Sequence, residues 1–251
     1  DIDLQEFIRT SEPHHAQVVQ QLFRRLQKSG DIYLGGYEGL RCPTCGFSPA
    51  ELDDPVSRCP ADGAKLEPFE EKRYFFRFTR YGEALRKHLD ENPDFIQPGV
   101  RQAEVKGWLD AGLQDLSVSR LGLDWGVPVP GDENHTIYVW VDALASYLFA
   151  APWEAAQEGA SGEIAWPAEL QLVGRGILRQ HAIHWPALLM SAGLPLPRRI
   201  FVHGLWTQGR NLDPHVLADA YGVDGVRYHL LREVPFGLDG EFSHHLLIYR
   251  L

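Results

Sequence analysis

Residues 136–203 constrain the fold more than any other stretch, because strand-like and helix-like runs alternate there. Thr136–Val141 is rich in β-branched and aromatic residues and predicts a strand, and Leu170–Val173 predicts a second one. Leu178–Gly193 predicts a long helix interrupted by a proline, and Ile200–His203 predicts a third strand. This order is typical of a parallel α/β sheet.

Ligands bind parallel α/β sheets at the carboxyl ends of the strands. The turns that follow Trp140 and Val173 are therefore the first places to look for a site. Helices are expected on either side of this stretch. His15–Ser29 has apolar residues at helical spacing, and Asp213 is placed to cap a helix that runs to Tyr221.

Composition narrows the class of protein. The chain has 251 residues, 44% of them hydrophobic, which predicts a folded protein of one or two domains. A net charge of -10 argues against non-specific nucleic-acid binding but leaves room for RNA contact through a local basic patch. No apolar run reaches the roughly 18 residues of a membrane span. No signal peptide is recognisable, and the start at Asp1 without Met suggests a fragment or a processed chain.

All three cysteines lie in one short segment, which makes a disulfide framework unexpected and favours a reducing, cytoplasmic setting. Cys42-Pro-Thr-Cys45 is separated by thirteen residues from Cys59-Pro-Ala-Asp62. Two such turns can bring four ligands to one ion in a closed structural zinc site. Asp62 is a harder and less common zinc ligand than Cys or His. The alternative is a metal-free knuckle with reduced, buried thiols.

A second candidate site is made of aromatic and apolar side chains. Trp140 is predicted at a strand end, with Tyr147 one or two turns further on. Ile177, His181 and Trp185 follow at intervals of four, which places them on one helix face. A wall of this kind suits an apolar, polarizable side chain such as that of methionine. On spacing alone, ordinary core packing is the more common explanation of such a stripe.

Many long segments, in order, resemble the methionyl-tRNA synthetase family along almost the whole chain. They are Phe7-Ile-Arg-Thr10 with His15, Tyr37-Glu-Gly-Leu40, the knuckle, Asn92-Pro-Asp-Phe-Ile-Gln-Pro98, Gly112–Arg120, Asp124–Pro130, Trp140-Val-Asp-Ala143, Trp185-Pro-Ala187 and Phe201-Val-His-Gly204.

The resemblance implies a Rossmann-like class I synthetase core, of α/β class and lacking its first half, with a zinc-bearing connective insertion. It implies core segments at 1–30 and 81–211, the zinc-knuckle insertion at 31–80 and a helical stem-contact region at 212–251. It also implies ATP with Mg²⁺ as cosubstrate and tRNA as partner. The implied methionine-binding residues are Trp140, Ala143, Tyr147, Ile177, His181 and Trp185, and the implied ATP-binding residues are Gly174, Arg175 and His203.

The chain departs from the family pattern in several places. It lacks the family's His-Ile-Gly-His motif, and the interval Leu205–Leu212 is about nine residues too short for the Lys-Met-Ser-Lys-Ser loop. Gly176 stands where the family has the acidic residue that holds the ATP ribose. Asp62 replaces a usual His in the knuckle, and Gln180 replaces an aromatic residue. Amino-acid activation depends on positioning and on electrostatic stabilisation, which the two missing motifs supply in the family.

Three interpretations stay open at this point. The chain is part of a synthetase that activates methionine, or a degenerate paralogue that keeps the amino-acid pocket as a binding or partner module, or a purely structural zinc module. No catalytic residue is assigned. An incomplete sheet exposes edge strands, which predicts a protein partner or a homodimer.

Overall fold

The structure is a computed structural model that describes residues 7–45, 48, 56–148, 166–207 and 213–250. The chain forms two compact units. Unit 1 comprises Asp1–Arg80 and Gln114–Gly162, and unit 2 comprises Tyr81–Leu113 and Glu163–Leu251. The division into core, insertion and stem-contact segments remains a prediction, because compactness alone does not assign a role to a segment.

The described residues contain eight α-helices. They are α1 Pro13–Lys28, α2 Gly82–Glu91, α3 Gly99–Asp110, α4 Val139–Ala145, α5 Trp185–Ala192, α6 Pro214–Tyr221, α7 Val223–Arg232 and α8 His244–Arg250. Shorter helical turns of 3-10 type are Phe78–Tyr81, Ser146–Leu148 and Arg175–Ile177, and one π-helical turn spans Gln180–His184.

Eleven strands lie in the same described part of the chain. They are β1 Ile32–Arg41, β2 Glu67–Phe76, β3 Ile96–Gln97, β4 Leu116–Ser117, β5 Ser119–Leu121, β6 Pro128–Val129, β7 Asp132–Ile137, β8 Gln171–Gly174, β9 Ile200–His203, β10 Trp206–Thr207 and β11 Gly240–Glu241.

Unit 1 contains two antiparallel sheets, in the strand orders β1-β2-β4 and β5-β7-β6. The long hairpin of β1 and β2 pairs Ile32 with Phe76 at one end and Arg41 with Glu67 at the other, and the cysteine segment lies between its strands in sequence. Helix α1 buries an apolar stripe that repeats at helical spacing. Its members are Val18, Val19, Leu22, Phe23 and Leu26.

Unit 2 contains a parallel sheet in the order β3-β9-β8, in which both outer strands run parallel to β9. Helix α5 connects β8 to β9, as a parallel crossover requires. The three C-terminal helices share a small core of their own. Its buried members are Leu217, Val226, Phe242 and Leu247.

The predicted parallel sheet is confirmed for the segments that became β8 and β9, and Ile200–His203 has the predicted bounds. The prediction for Thr136–Val141 is wrong. Strand β7 ends at Ile137, is antiparallel to its neighbours, and belongs to a different sheet. Residues beyond it form α4, because the apolar residues from Val141 onward recur at helical rather than alternating spacing.

The long helix predicted at Leu178–Gly193 is present, but it is not uniform. The π-helical turn Gln180–His184 ends two residues before Pro186, which has no N–H to continue the α-helical hydrogen-bond ladder. Gly193 ends the helix in the left-handed conformation, with φ of 68°. Across the part of the chain that the structure describes, no helix has the length and apolarity to cross a membrane.

Candidate functional site

The cysteine knuckle is folded by its own backbone before any ligand is considered. The Cys59 N–H donates to the carbonyl of Ala64 at 2.9 Å, and the Gly63 N–H donates to the carbonyl of Cys59 at 2.9 Å. Gly63 has φ of 72°, a conformation that side chains disfavour. The segment from Cys59 to Gly63 therefore forms a tight turn, and it directs the side chains of Cys59 and Asp62 toward the first cysteine pair.

The four predicted metal ligands converge in the structure. The ligand atoms of Cys42, Cys45, Cys59 and Asp62 all lie within 4.8 Å of one another. The two sulfurs of Cys45 and Cys59 are 3.4 Å apart, and the Cys42 sulfur is 3.4 Å from Oδ2 of Asp62. Tetrahedral zinc bonds imply separations of about 3.8 Å between sulfurs and about 3.5 Å from sulfur to oxygen. The two closest pairs therefore approach the separations of a zinc site, and thiolate and carboxylate ligands suit the chemistry of the ion.

Burial and hydrogen bonding distribute charge unevenly over this cluster. Backbone N–H groups, that of Cys45 first, lower the pKa of Cys42, whereas burial raises the pKa of Cys59 to about 11. The Ala64 N–H donates to Asp62 at 3.0 Å and lowers the pKa of that carboxyl. A cation is needed to stabilise several deprotonated ligands at such close range.

The first group of predicted amino-acid-binding residues lies on α4 and the turn after it. Trp140 is in the first turn of α4 rather than at a strand end, which corrects the expectation from sequence. Trp140, Ala143 and Tyr147 are all half-buried, at positions i, i+3 and i+7 of one helical face. The opposite face is buried and consists of Val141, Leu144, Ala145 and Leu148. Burial raises the pKa of Tyr147, so its hydroxyl keeps its proton at neutral pH.

The second group lies between β8 and α5. Ile177 ends a 3-10 turn, His181 lies in the π-helical turn, and Trp185 begins α5. Nδ1 of His181 donates to the carbonyl oxygen of Ile177 at 2.8 Å, which joins these two residues directly. Trp185 is fully buried and packs edge-to-face on Trp166, with ring centroids 5.7 Å apart.

Burial lowers the pKa of His181 below its ordinary value. The ring is therefore neutral at pH 7, and its proton lies on Nδ1, because the carbonyl oxygen of Ile177 can only accept. The π-helical turn that carries His181 is a rare element, often found at functional sites. The two groups of residues belong to different units, and a single pocket built from both remains a prediction.

The predicted ATP-binding residues lie at the carboxyl ends of β8 and β9. Gly174 and His203 are register partners at the last rung of the parallel pair. A Cβ on Gly174 would lie 3.4 Å from Cε1 of His203, so the imidazole passes within ordinary van der Waals distance of the end of β8. Nδ1 of His203 donates to the carbonyl of Gly204 at 2.8 Å. The ring is thus held across the edge where ligands of such sheets bind.

Arg175, the third predicted ATP ligand, forms an ion pair within unit 2. Its guanidinium contacts the carboxylate of Asp239 at 2.7 Å, and the other oxygen of Asp239 accepts the N–H of Leu205 at 2.9 Å. The Leu205 N–H first, and then the charges of Arg175 and Arg101, lower the pKa of Asp239. No sequence pattern marked Asp239, since its partner is 64 residues away.

Two further features of the structure were not predicted from the sequence. His15 on α1 is fully buried, and its Nε2 lies 2.5 Å from Oδ1 of Asp142 on α4. Both lie in segments that resemble the family, but their spacing gives no sign that they meet. Gln180, where the family has an aromatic residue, buries its side-chain oxygen without a hydrogen-bond partner among the described residues.

Comparison with known proteins gives a consistent result. The family model described as "tRNA synthetases class I (M)" matches residues 1–47 and 38–251. The methionine–tRNA ligase of Caldanaerobacter subterraneus subsp. tengcongensis is 45% identical over 261 residues, which cover 100% of this chain and 41% of that protein. The enzyme of that name from Clostridium tetani is 43% identical, over 100% of this chain and 41% of its own length.

Solved structures agree. The crystal structure of Mycobacterium tuberculosis methionyl-tRNA synthetase bound by methionyl-adenylate matches with a TM-score of 0.85 and 40% identity, over 100% of this chain and 52% of that one. The apo form of that protein matches with a TM-score of 0.82 and 44% identity, over 99% of this chain and 51% of that one. The chain spans about two-fifths of the length of these curated relatives.

Proposed function

The chain belongs to the methionyl-tRNA synthetase family of class I, and from that membership we propose that it serves the ATP-dependent activation of methionine and its transfer to tRNA. The observation that carries the proposal is the arrangement of the predicted amino-acid-binding residues. Trp140, Ala143 and Tyr147 share one half-buried helical face. Apart from the family resemblance, no sequence pattern predicted that these three residues would lie on the same face.

Methionine suits these side chains for a physical reason. Its thioether is apolar and polarizable, and it packs favourably against aromatic rings such as those of Trp140, Tyr147 and Trp185. The ring of His181 is neutral, so it can lie beside the uncharged side chain of methionine without burying an unpaired charge. Each of these residues is proposed to contact the amino acid, and none is proposed to take part in bond making.

In the proposed reaction, a carboxylate oxygen of methionine attacks the α-phosphorus of ATP, and pyrophosphate leaves with the bonding electron pair. A terminal hydroxyl of tRNA then attacks the carbonyl carbon of the adenylate and releases AMP. Gly174, Arg175 and His203, at the carboxyl ends of β8 and β9, are the residues proposed to contact ATP with its Mg²⁺. Negative charge accumulates in the first step, so cations and N–H donors near this edge favour it.

We further propose that the knuckle holds one structural zinc ion. Its four donor atoms lie close enough together for one ion, and two of the thiols are buried. When bound, the metal supplies a cross-link for the segment between β1 and β2, and it takes no part in the reaction. A cytoplasmic location and a protein partner or homodimer also stay predictions.

Methionine-dependent exchange of pyrophosphate into ATP by the full-length gene product tests the main proposal. Exchange with methionine and not with leucine is expected, and Trp140→Ala should raise the KM for methionine by at least tenfold. Exposed Trp125→Ala is the matched control and should leave that KM unchanged.

Two results would overturn the proposal. Absence of exchange together with methionine binding in calorimetry would favour the non-charging paralogue, an alternative that none of the comparisons supports. Absence of both would leave only the structural zinc module.

A further inference from the structure

We propose that His15 is a positioning residue for the amino-acid-binding face of α4, and that it acts through Asp142. The inference rests on the proposed function, because it assumes that Trp140, Ala143 and Tyr147 bind the amino acid. His15 itself lies on α1, on the buried side of that helix, and would not touch the substrate.

The contact between the two residues is short, buried and directional. His15 has no exposed surface, and the side chain of Asp142 is 15% exposed. Nε2 of His15 lies 2.5 Å from Oδ1 of Asp142, and Nε2 is the donor because a carboxylate oxygen accepts. Nδ1 of His15 is buried without a hydrogen-bond partner among the described residues. The bond to Asp142 therefore sets the orientation of the imidazole.

Helix α4 depends on such contacts for its position. It has only seven residues, and its N-cap residue, Tyr138, makes no side-chain capping bond. A helix of this length has little stability of its own, so tertiary contacts hold it in place. Packing of the apolar face formed by Val141, Leu144 and Ala145 is not directional and permits small rotations about the helix axis. A hydrogen bond to a side chain of α4 removes that freedom.

Asp142 is well placed to fix the rotation of α4. It is adjacent to Ala143 and two residues from Trp140, in the first turn of the helix. A rotation that broke its bond to His15 would move both of these side chains relative to the rest of unit 1. Displacements of about 1 Å in a positioning element can change rates by about a hundredfold.

A second buried histidine–carboxylate pair in unit 1 provides a matched control. Nδ1 of His135 lies 2.8 Å from Asp132, and Nε2 of the same ring donates to the carbonyl of Lys72 at 2.9 Å. This pair ties β7 to β2 and includes no residue of α4. Its loss should cost stability without acting directly on the amino-acid-binding face.

The variants separate hydrogen bonding from packing. His15→Met removes the donor and keeps the volume, whereas His15→Gln keeps an N–H donor near the position of Nε2. The double variant His15→Met/Asp142→Leu replaces both partners by apolar groups, a change that often restores stability to a buried pair. It is therefore expected to fold without the directional bond. His135→Met is the control.

Two measurements are made on the full-length gene product. The first is the KM for methionine and for ATP in pyrophosphate exchange. The second is the ¹⁹F resonance of Trp140 in protein labelled with 5-fluorotryptophan, assigned by its absence in Trp140→Phe. Thermal melting of every variant accompanies them.

His15→Met and the double variant are expected to raise the KM for methionine about tenfold or more, with the KM for ATP unchanged, and to move the Trp140 resonance. His15→Gln should restore both readouts, and His135→Met should lower the melting temperature without moving either. A double variant with a normal methionine KM would overturn the proposal, as would a His15→Gln no better than His15→Met. If the wild type fails to use methionine, the proposed function falls, and the Trp140 resonance still decides whether His15 positions α4.

Discussion

The guanidinium of Arg175 lies 2.7 Å from the carboxylate of Asp239. Both side chains are partly exposed, so the pair itself adds little stability. The pair matters because Arg175, which follows the carboxyl end of β8, is the cation predicted to contact ATP. In this structure its guanidinium is bound by Asp239 instead.

Replacing either partner separates two roles of Arg175. If Arg175 contacts ATP, Arg175→Ala should raise the KM for ATP about tenfold, because a charge-assisted contact is lost. Asp239→Asn should lower that KM or leave it unchanged, since the arginine is released. Steady-state pyrophosphate exchange measures both. Equal increases in the two variants would instead mean that Arg175 serves only to hold Asp239.

Gly176 is predicted to accept an acidic side chain. A Cβ built there meets no heavy atom within 4 Å, and its φ is not in the left-handed region. Gly176→Asp should therefore fold normally. If the family resemblance assigns this position correctly, it should also lower the KM for ATP several-fold through a hydrogen bond to the ribose.

Gly204→Ala is a comparison variant in which the added side chain is expected to clash with its surroundings. Its Cβ would lie 1.9 Å from the carbonyl oxygen of Leu238, so a lower melting temperature is expected. A melting temperature for Gly176→Asp as low as that of Gly204→Ala would contradict the prediction.

Stability should fall in mild acid because of His184. Burial, with a contribution from the charge of Arg179, lowers the pKa of His184 from 6.5 to about 4. The unfolded chain then binds more protons than the folded one between these values, so stability is lost as the pH falls from 6.5 toward 4. The loss between pH 7.5 and 4.5 is on the order of 2 kcal/mol.

Urea unfolding at the two pH values measures this loss. His184→Gln should reduce the difference in unfolding free energy between them, whereas exposed His245→Gln should leave it in place. The lowered pKa of His181 acts in the same direction, so part of the pH dependence should survive in His184→Gln. An unchanged pH dependence in that variant would count against a neutral, partly buried His184.

Metal analysis should find one zinc ion per chain. Cys59→Ser should lose it, because a buried thiolate ligand is removed, and Asp62→His should retain it with equal or higher affinity. Lys65→Ala, at an exposed position beside the knuckle, is the control and should keep the full metal content. Mass spectrometry under native conditions and a competing chelator provide the measurements. Full zinc content in Cys59→Ser would rule out this ligand set.

Local signals predicted the elements that depend on few neighbours. Helix α6 begins where expected, because Asp213 accepts the N–H of His215 at 2.8 Å and Pro214 suits the first turn. The knuckle also converged as predicted, since two tight turns and four ligand side chains are encoded within a short segment. In both cases the residues that decide the structure are close together in sequence.

Helix α4 was mistaken for a strand because β-branched and aromatic residues are compatible with either state. The helical state is stabilised by burial of the apolar face of α4. That burial depends on which elements pack against α4, and the local sequence does not specify them. The sequence likewise predicted an interruption near Pro186, but it gave no indication that the interruption takes the form of a π-helical turn.

The sequence by itself determined the family, the local turns and caps, and the residue types available for a metal and for an apolar amino acid. Only the tertiary structure decided that His15 meets Asp142, 127 residues away, and that Arg175 is paired with Asp239. The physical reason is that side-chain partners far apart in sequence are selected by the packing of whole elements. No local spacing or propensity encodes that choice.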